Sequence, residues 1–308
     1  MDTAQGKTIL QRIAGRRRWT VLLLVSLPSL WLLLFLALPY LALFVQSFLA
    51  SDELGNVVMR PTAEHYRDFF AKPVYYGTLL YTFKIAAIVT TLCVLISVPL
   101  AYVIAFKVKR YKELIYTLII VPLWVSYIVR TYAWKIILGR EGILNTFLLY
   151  VGVVDKPVEA FLYSQSAVVI GLVHIFTPFV LMPIYTAFEH IPRSLVEASK
   201  DLGAGRFTTF RRVVLPLALP GIIAGATFAF VLTLGDFLAV LLLGGPDTLM
   251  ISNVVQNLFG TSDDRPLGSA IGIVMLIIVL AILETTARLE RSYGSVDTRG
   301  GRPLGAKA

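Results

Sequence analysis

The sequence predicts an all-α integral membrane protein with six transmembrane helices, and three observations carry that prediction. Hydrophobic residues make up 57% of the 308 and charged residues only 15%, where a soluble domain carries roughly a quarter charged. The apolar residues gather into runs of about 20 or more, the length that crosses a hydrocarbon core of roughly 30 Å as a helix. Lys and Arg alternate in density from one loop to the next, as membrane topology requires. The net charge of +9 does not point to nucleic acid, because the basic residues sit between apolar runs and form no basic domain. The single cysteine, Cys93, excludes an intrachain disulfide framework. His65, His174 and His190 are too scattered for a metal site.

The first run spans Trp19 to Phe48, behind a basic segment ending in Arg16-Arg17-Arg18. It is about twice the apolar length of a signal peptide, so it reads as a retained anchor, with Pro28 and Pro39 as expected kinks. Further spans are expected at 78–106, 114–138, 167–188, 217–243 and 268–287. The segments 51–77 and 139–166 are long for simple connections and are expected to carry short interfacial helices. Tyr75, Tyr76, Tyr81, Trp124, Tyr132 and Trp134 fall near predicted span ends, as in an aromatic belt.

Orientation follows from the loops. Lys7, Arg12 and Arg16–Arg18 precede the first span, Lys107, Lys109, Arg110 and Lys112 follow the second, and Arg193, Lys200, Arg206, Arg211 and Arg212 follow the fourth. The intervening loops hold fewer, which predicts both termini on the cytoplasmic side. The expected organisation is a basic tail (1–18), a transmembrane domain (19–287) containing a cytoplasmic loop (189–216), and a C-terminal tail (288–308).

That loop reads IPRSLVEASKDLGAGRFTTFRRVVLP over 191–216. Ser194 and Glu197 have capping-box spacing, which predicts a short helix starting there. Leu195, Val196 and Leu202 form an apolar patch on it, and Gly203 and Gly205 supply positive φ to end it. A second helix is expected from about Thr208. Within the spans, Asp236 beside Phe237 suits a protonated amine through charge and cation–π attraction. The alternative is a structural ion pair with Arg130 or Lys84; Tyr127 completes the candidate pathway residues. Gly221 and Gly225, like Gly268 and Gly272, have the small-xxx-small spacing of close helix contacts, static or moving. Met250–Phe259 is expected to return as a short helix at the outer face, with Asp263 and Asp264 as docking candidates.

The loop resembles the EAA motif of binding-protein-dependent ABC permeases: Glu-Ala-Ala, three residues, Gly, nine residues, Ile, one residue, Leu-Pro. Glu197, Ala198, Gly203, Leu215 and Pro216 match in register, while Ser199 and Val213 are small departures at the third Ala and the Ile. The resemblance implies a type I ABC importer permease fold, in which this helical pair is the coupling helix that seats in a groove of the ATPase subunit. The stretches LPYLALFVQSF, VPLWVSYIVRTYAWKIILGREGILN, LVHIFTPFVLMPIYTAF and GDFLAVLLLGGPDTLMISNVVQNLFGTSDDRPLGSAIGIVML resemble the spermidine/putrescine-type permeases over about residues 35–287. They imply a polyamine or a related small organic solute as cargo.

The chain carries no ATP site of its own. Gly6-Lys7-Thr8 ends like a P-loop, but Met1 stands where the first glycine is required. There is no HExxH motif, paired-cysteine ligand set or nucleophile–base pattern, so the reading is a non-enzyme without cofactor. Mg-ATP belongs to a partner ATPase dimer. The other implied partners are a second homologous permease (or a second copy), an extracytoplasmic solute-binding protein and membrane lipid, with a bacterial inner-membrane location. An ion-coupled secondary transporter using Asp236 and an intramembrane enzyme are the competing classes.

Overall fold

The computed structural model describes residues 3–52 and 57–294. Five helices are long and apolar enough to cross a membrane, and a bent pair makes a sixth. Helix α1 (Thr3–Gln46) runs unbroken through Pro28 and Pro39. A hairpin of β1 (Leu49–Ser51) and β2 (Val57–Pro61) follows, then the short helix α2 (Glu64–Ala71). The hairpin is an addition to the all-α expectation. It belongs to the long first loop, where His65 anchors it by a 2.9 Å contact between Nε2 and the Leu49 carbonyl.

The second span is α3 (Pro73–Phe106), with Pro73 in its first turn, where a missing N–H costs nothing. The third departs from the expected straight span over 114–138. Helix α4 (Lys112–Ile120) tightens into a 3-10 turn at Val121–Trp124. The chain then breaks at Val125-Ser126, and α5 (Tyr127–Leu138) and α6 (Ile143–Val151) leave at 94° to the first arm. Hydropathy does not register this bend, because the residues on both sides are equally apolar. Helix α7 (Gln165–Glu189) is the fourth span. Its N-terminus is capped by Ser164, whose hydroxyl accepts from the Ala167 N–H at 3.1 Å.

Helices α8 (Arg193–Asp201) and α9 (Arg206–Thr209) form the expected pair. A π-turn (Phe210–Val214) leads into α10 (Leu215–Leu234). The fifth span, expected to be continuous over 217–243, breaks at Gly235–Phe237 before α11 (Leu238–Leu243). The expected return helix is α12 (Ile251–Gly260). Helix α13 (Arg265–Gly294) is the sixth span and runs past the boundary drawn at 287; the rest of the C-terminal tail lies outside the described residues.

The core is α7 held between α3 and α10. Two thirds of its apolar window (67%) is buried, against 0% for α1, which makes α7 the axis and α1 a peripheral span resting on α13. Apolar burial provides little drive between helices in lipid, so close packing and buried polar contacts carry the association. The Cys93 thiol lies 3.7 Å from the Val173 carbonyl, and the Ser97 hydroxyl donates to the Thr177 carbonyl at 3.4 Å. The two glycine pairs differ. A Cβ on Gly221 would sit 2.5 Å from the Ala187 Cβ and 2.6 Å from the Pro183 carbonyl oxygen, and one on Gly225 2.8 Å from the Val180 carbonyl oxygen. These two seat α10 directly on α7. Gly268 meets only the Phe259 and Leu258 side chains, and Gly272 faces open space.

Candidate functional site

Two constellations use the residues singled out in the sequence. The first is the loop over 189–216. Its helix α8 begins at Arg193 behind Pro192, and no side chain caps it. The expected capping box is therefore corrected: Ser194 lies inside the first turn, and Pro192, with its fixed φ, sets the entry. Gly203 ends the helix at φ +79°, as expected, but Gly205 has φ −67° and needs no glycine freedom. Helix α9 starts at Arg206, two residues before the expected Thr208.

Glu197 and Ala198 are exposed on α8, and Leu202 is 88% exposed at its end. The anticipated apolar patch is split. Leu195 and Leu202 face outward, while Val196 packs inward against the core. Ser199, the departure from the third Ala, contributes a contact of its own: its hydroxyl lies 3.1 Å from that of Thr209, tying α8 to α9. Val213 sits in the π-turn, and Leu215 and Pro216 open α10. Pro216 has no N–H to offer the Arg212 carbonyl, and the widened turn just before it absorbs that defect. Below the pair, the Tyr102 ring packs edge-on to Phe210 at 5.3 Å and to Phe188 at 6.2 Å, with Phe106 against both Tyr102 and Phe188. This aromatic junction joins the helix pair to α3 and α7. The motif did not point to it, because its members come from three separate segments.

The second constellation lies where the two broken spans meet. Asp236 stands in the α10–α11 break and Tyr127 opens α5 just after the other break; the Tyr127 hydroxyl donates to Asp236 Oδ2. Asp236 Oδ1 accepts from the Ala239 N–H at 2.9 Å, which satisfies the exposed start of α11. The carbonyls freed by the break are also satisfied: the Ser252 hydroxyl donates to that of Asp236, and Asn253 Nδ2 donates to that of Phe237 at 2.9 Å. Both donors come from α12, whose own first turn is held by the Thr82 hydroxyl accepting from the Ile251 N–H at 2.9 Å. Irregular backbone at membrane depth needs such partners.

The ion-pair reading of Asp236 is corrected. Neither Arg130 nor Lys84 pairs with it. The Arg130 guanidinium donates to the Ile175 carbonyl of α7 at 3.4 Å and lies 5.9 Å from the Tyr127 ring centroid, while its Nε has no partner. Lys84 is exposed on α3. Phe237 is 41% exposed beside the carboxylate. Ser252 and Asn253 carried no signal in the sequence beyond their place in the return helix. Asp263 and Asp264, considered for docking, serve locally: Asp263 accepts from Arg265 Nε at 2.9 Å, and Asp264 Oδ1 accepts from the Leu267 N–H at 3.3 Å at the start of α13. No group of three or more His, Cys, Asp or Glu poised to hold a metal occurs among the described residues.

Known proteins resemble this chain in sequence and in fold. The spermidine/putrescine transport system permease protein PotB of Escherichia coli (strain K12) is 38% identical over 261 residues, covering 85% of this chain and 94% of its own. The inner membrane ABC transporter permease protein YdcU of the same organism is 35% identical over 280 residues, covering 87% and 88%. One chain of a crystal structure of the bacterial alginate ABC transporter, in complex with an alginate pentasaccharide-bound periplasmic protein, superposes with a TM-score of 0.73 at 18% identity. That match covers 93% of this chain and 98% of the other, and shows the shared permease fold. The family described as the binding-protein-dependent transport system inner membrane component matches residues 97–291. With five helices long and apolar enough to cross a membrane and a bent pair as the sixth span, an exposed EAA-type helix pair and relatives of this identity and coverage, the chain belongs to the binding-protein-dependent transport system inner membrane components, the permeases of ABC importers.

Proposed function

We propose that this permease forms half of the pathway of an ABC importer for polyamines. The supporting observation is Asp236. It is a carboxylate at the meeting point of two broken spans, held by a tyrosine hydroxyl and a helix N-terminus, and it forms no ion pair among the described residues. Discontinuous helices of this kind build midplane substrate sites in transporters. An ammonium group fits the remaining lone pairs, with the exposed face of Phe237 beside it. Arg130 donates to the Ile175 carbonyl of α7 and makes no ion pair with Asp236. The relatives named for spermidine and putrescine support the same cargo class.

In this reading both termini and the α8–α9 pair lie on the cytoplasmic side, and the hairpin and α12 lie outside. The boundaries at 18 and 287 separate tails from the transmembrane domain. Glu197, Ala198, Ser199, Gly203, Val213, Leu215 and Pro216 seat the pair on an ATPase subunit that binds Mg-ATP. A second permease completes the pathway, and a solute-binding protein delivers cargo from outside. Closure of the ATPase dimer moves α8, and the aromatic junction at Tyr102 and Phe210 passes that motion to α3 and α7.

The test is reconstitution of the chain with its ATPase, second permease and binding protein in liposomes, followed by uptake of labelled putrescine and spermidine. Saturable uptake requiring both ATP and binding protein is expected. Binding-protein-stimulated ATP hydrolysis without polyamine uptake would keep the importer and replace the cargo.

A further inference from the structure

A pocket of about 340 Å³ opens between the end of α3 and the root of the α8–α9 pair. Lys107 and Lys109 line one wall and Arg193, Lys200 and Arg206 the other, with Glu197 as the one carboxylate among them. None of these five cations makes an ion pair among the described residues, where the pairs involve Lys72, Lys112, Arg140, Arg265 and Arg288. Unneutralised cations converging on one cavity repel each other, and an anion among them reverses the sign of that interaction.

Tyr102, Phe106 and Val196 add ring and aliphatic surface to the lining, beside Thr209. On the same stripe of α3, Leu95, Pro99 and Val103 are exposed. A cationic mouth above an apolar rail matches a molecule with an anionic head and acyl chains, rather than a fully soluble anion. Basic pockets between helices on the cytoplasmic side bind such headgroups.

We propose that this pocket takes the phosphate of an anionic phospholipid, with Lys107 and Lys109 contacting it from α3 and Arg193, Lys200 and Arg206 from the helix pair. The proposal rests on the reading that this end lies at the cytoplasmic membrane surface. A headgroup held by both walls ties α8 to the end of α3. The resting position of the helix pair then depends on the composition of the surrounding leaflet.

Native mass spectrometry of the complete transporter, permease pair and ATPase together, tests this with phosphatidylglycerol, phosphatidylcholine of the same chain length, and inorganic phosphate as probes. Phosphatidylglycerol is expected to bind in preference to phosphatidylcholine and to resist displacement by inorganic phosphate. The double variant Lys107→Gln/Lys109→Gln is expected to lose affinity by about fivefold per cation removed while keeping its ATPase subunit. Lys107→Arg/Lys109→Arg is expected to restore binding, which separates charge loss from misfolding. Unchanged phosphatidylglycerol affinity in the Gln variant would overturn the proposal, as would displacement by inorganic phosphate. Loss of the ATPase subunit with lipid binding retained would overturn it too, assigning the pocket to a protein carboxylate. None of these readouts requires transport, so they fail independently of the polyamine reading.

Discussion

The helix pair at one end of the permease and the carboxylate between its broken spans are built in opposite ways. Residues 193–216 carry their chemistry in one continuous stretch, with Glu197 and Ala198 exposed and few internal bonds beyond the Ser199–Thr209 contact. Asp236 is held by groups from α5, α11 and α12, its nearest hydroxyl coming from a residue 109 positions away. The first is a surface presented to a partner, and the second is a site made by the packing of this chain. If that contrast holds, substitutions in the two regions separate assembly from cargo handling.

The largest effect is expected at the exposed pair. Glu197→Arg reverses charge at the centre of the surface offered to the ATPase, and truncating a central interface residue commonly costs about 2 kcal/mol or more, roughly thirtyfold in affinity. The ATPase is expected to be lost on co-purification, with the permease itself folded. An intact complex would remove the distinction between the two regions. Asp236→Asn should do the reverse. Replacing one charge-assisted hydrogen bond of about 1.5–3 kcal/mol is expected to raise the polyamine concentration at half-maximal uptake by roughly ten- to a hundredfold, with the ATPase still bound. Equal uptake by the variant would make Asp236 a structural cap for α11 alone.

Gly221→Val tests whether the contrast depends on one rigid axis. A Cβ there collides with Ala187 and the Pro183 carbonyl, and overpacking of this kind costs about 1–3 kcal/mol. A lowered melting temperature of the purified complex is expected, with Gly272→Val as the matched control because Gly272 faces open space. Tyr127→Phe removes one hydroxyl from Asp236 and keeps the ring. That bond positions the carboxylate without touching the cargo, so only part of its worth of about 1.5–3 kcal/mol reaches uptake, a change of roughly two- to tenfold in the half-maximal concentration, smaller than at Asp236 itself.

How much of each region the sequence discloses follows from the same contrast. The EAA spacing is legible because Glu197, Gly203 and Pro216 act within one segment, and the spans are legible because about 20 apolar residues in a row have few other uses. Hydropathy averages over the α4–α5 break, although Pro122 and Ser126 stand beside it. Gly235-Asp236 interrupts an apolar run and marks the other break more openly, yet nothing local says that Tyr127 faces it. The capping box fails for a related reason: Ser194 and Glu197 have the right spacing, but the N-cap is Pro192, two residues earlier, which leaves Ser194 without orphan N–H groups to cap.

The smallest effect belongs to the hairpin end, which supplies a baseline for both regions. Lys72 and Asp68 form an exposed pair at 2.6 Å, one turn apart. The hydrogen bond to Asp68 raises the Lys72 pKa above its usual value. A raised lysine pKa contributes stability that is fully present below the ordinary lysine value and fades only as pH climbs through the folded one. The pair is therefore fully formed across the neutral range, and exposed pairs of this type contribute little. Lys72→Met should leave the melting temperature nearly unchanged, and by the same small amount at every pH near neutrality. A pH-dependent loss of stability in that range would mean that a group other than this pair controls the hairpin end.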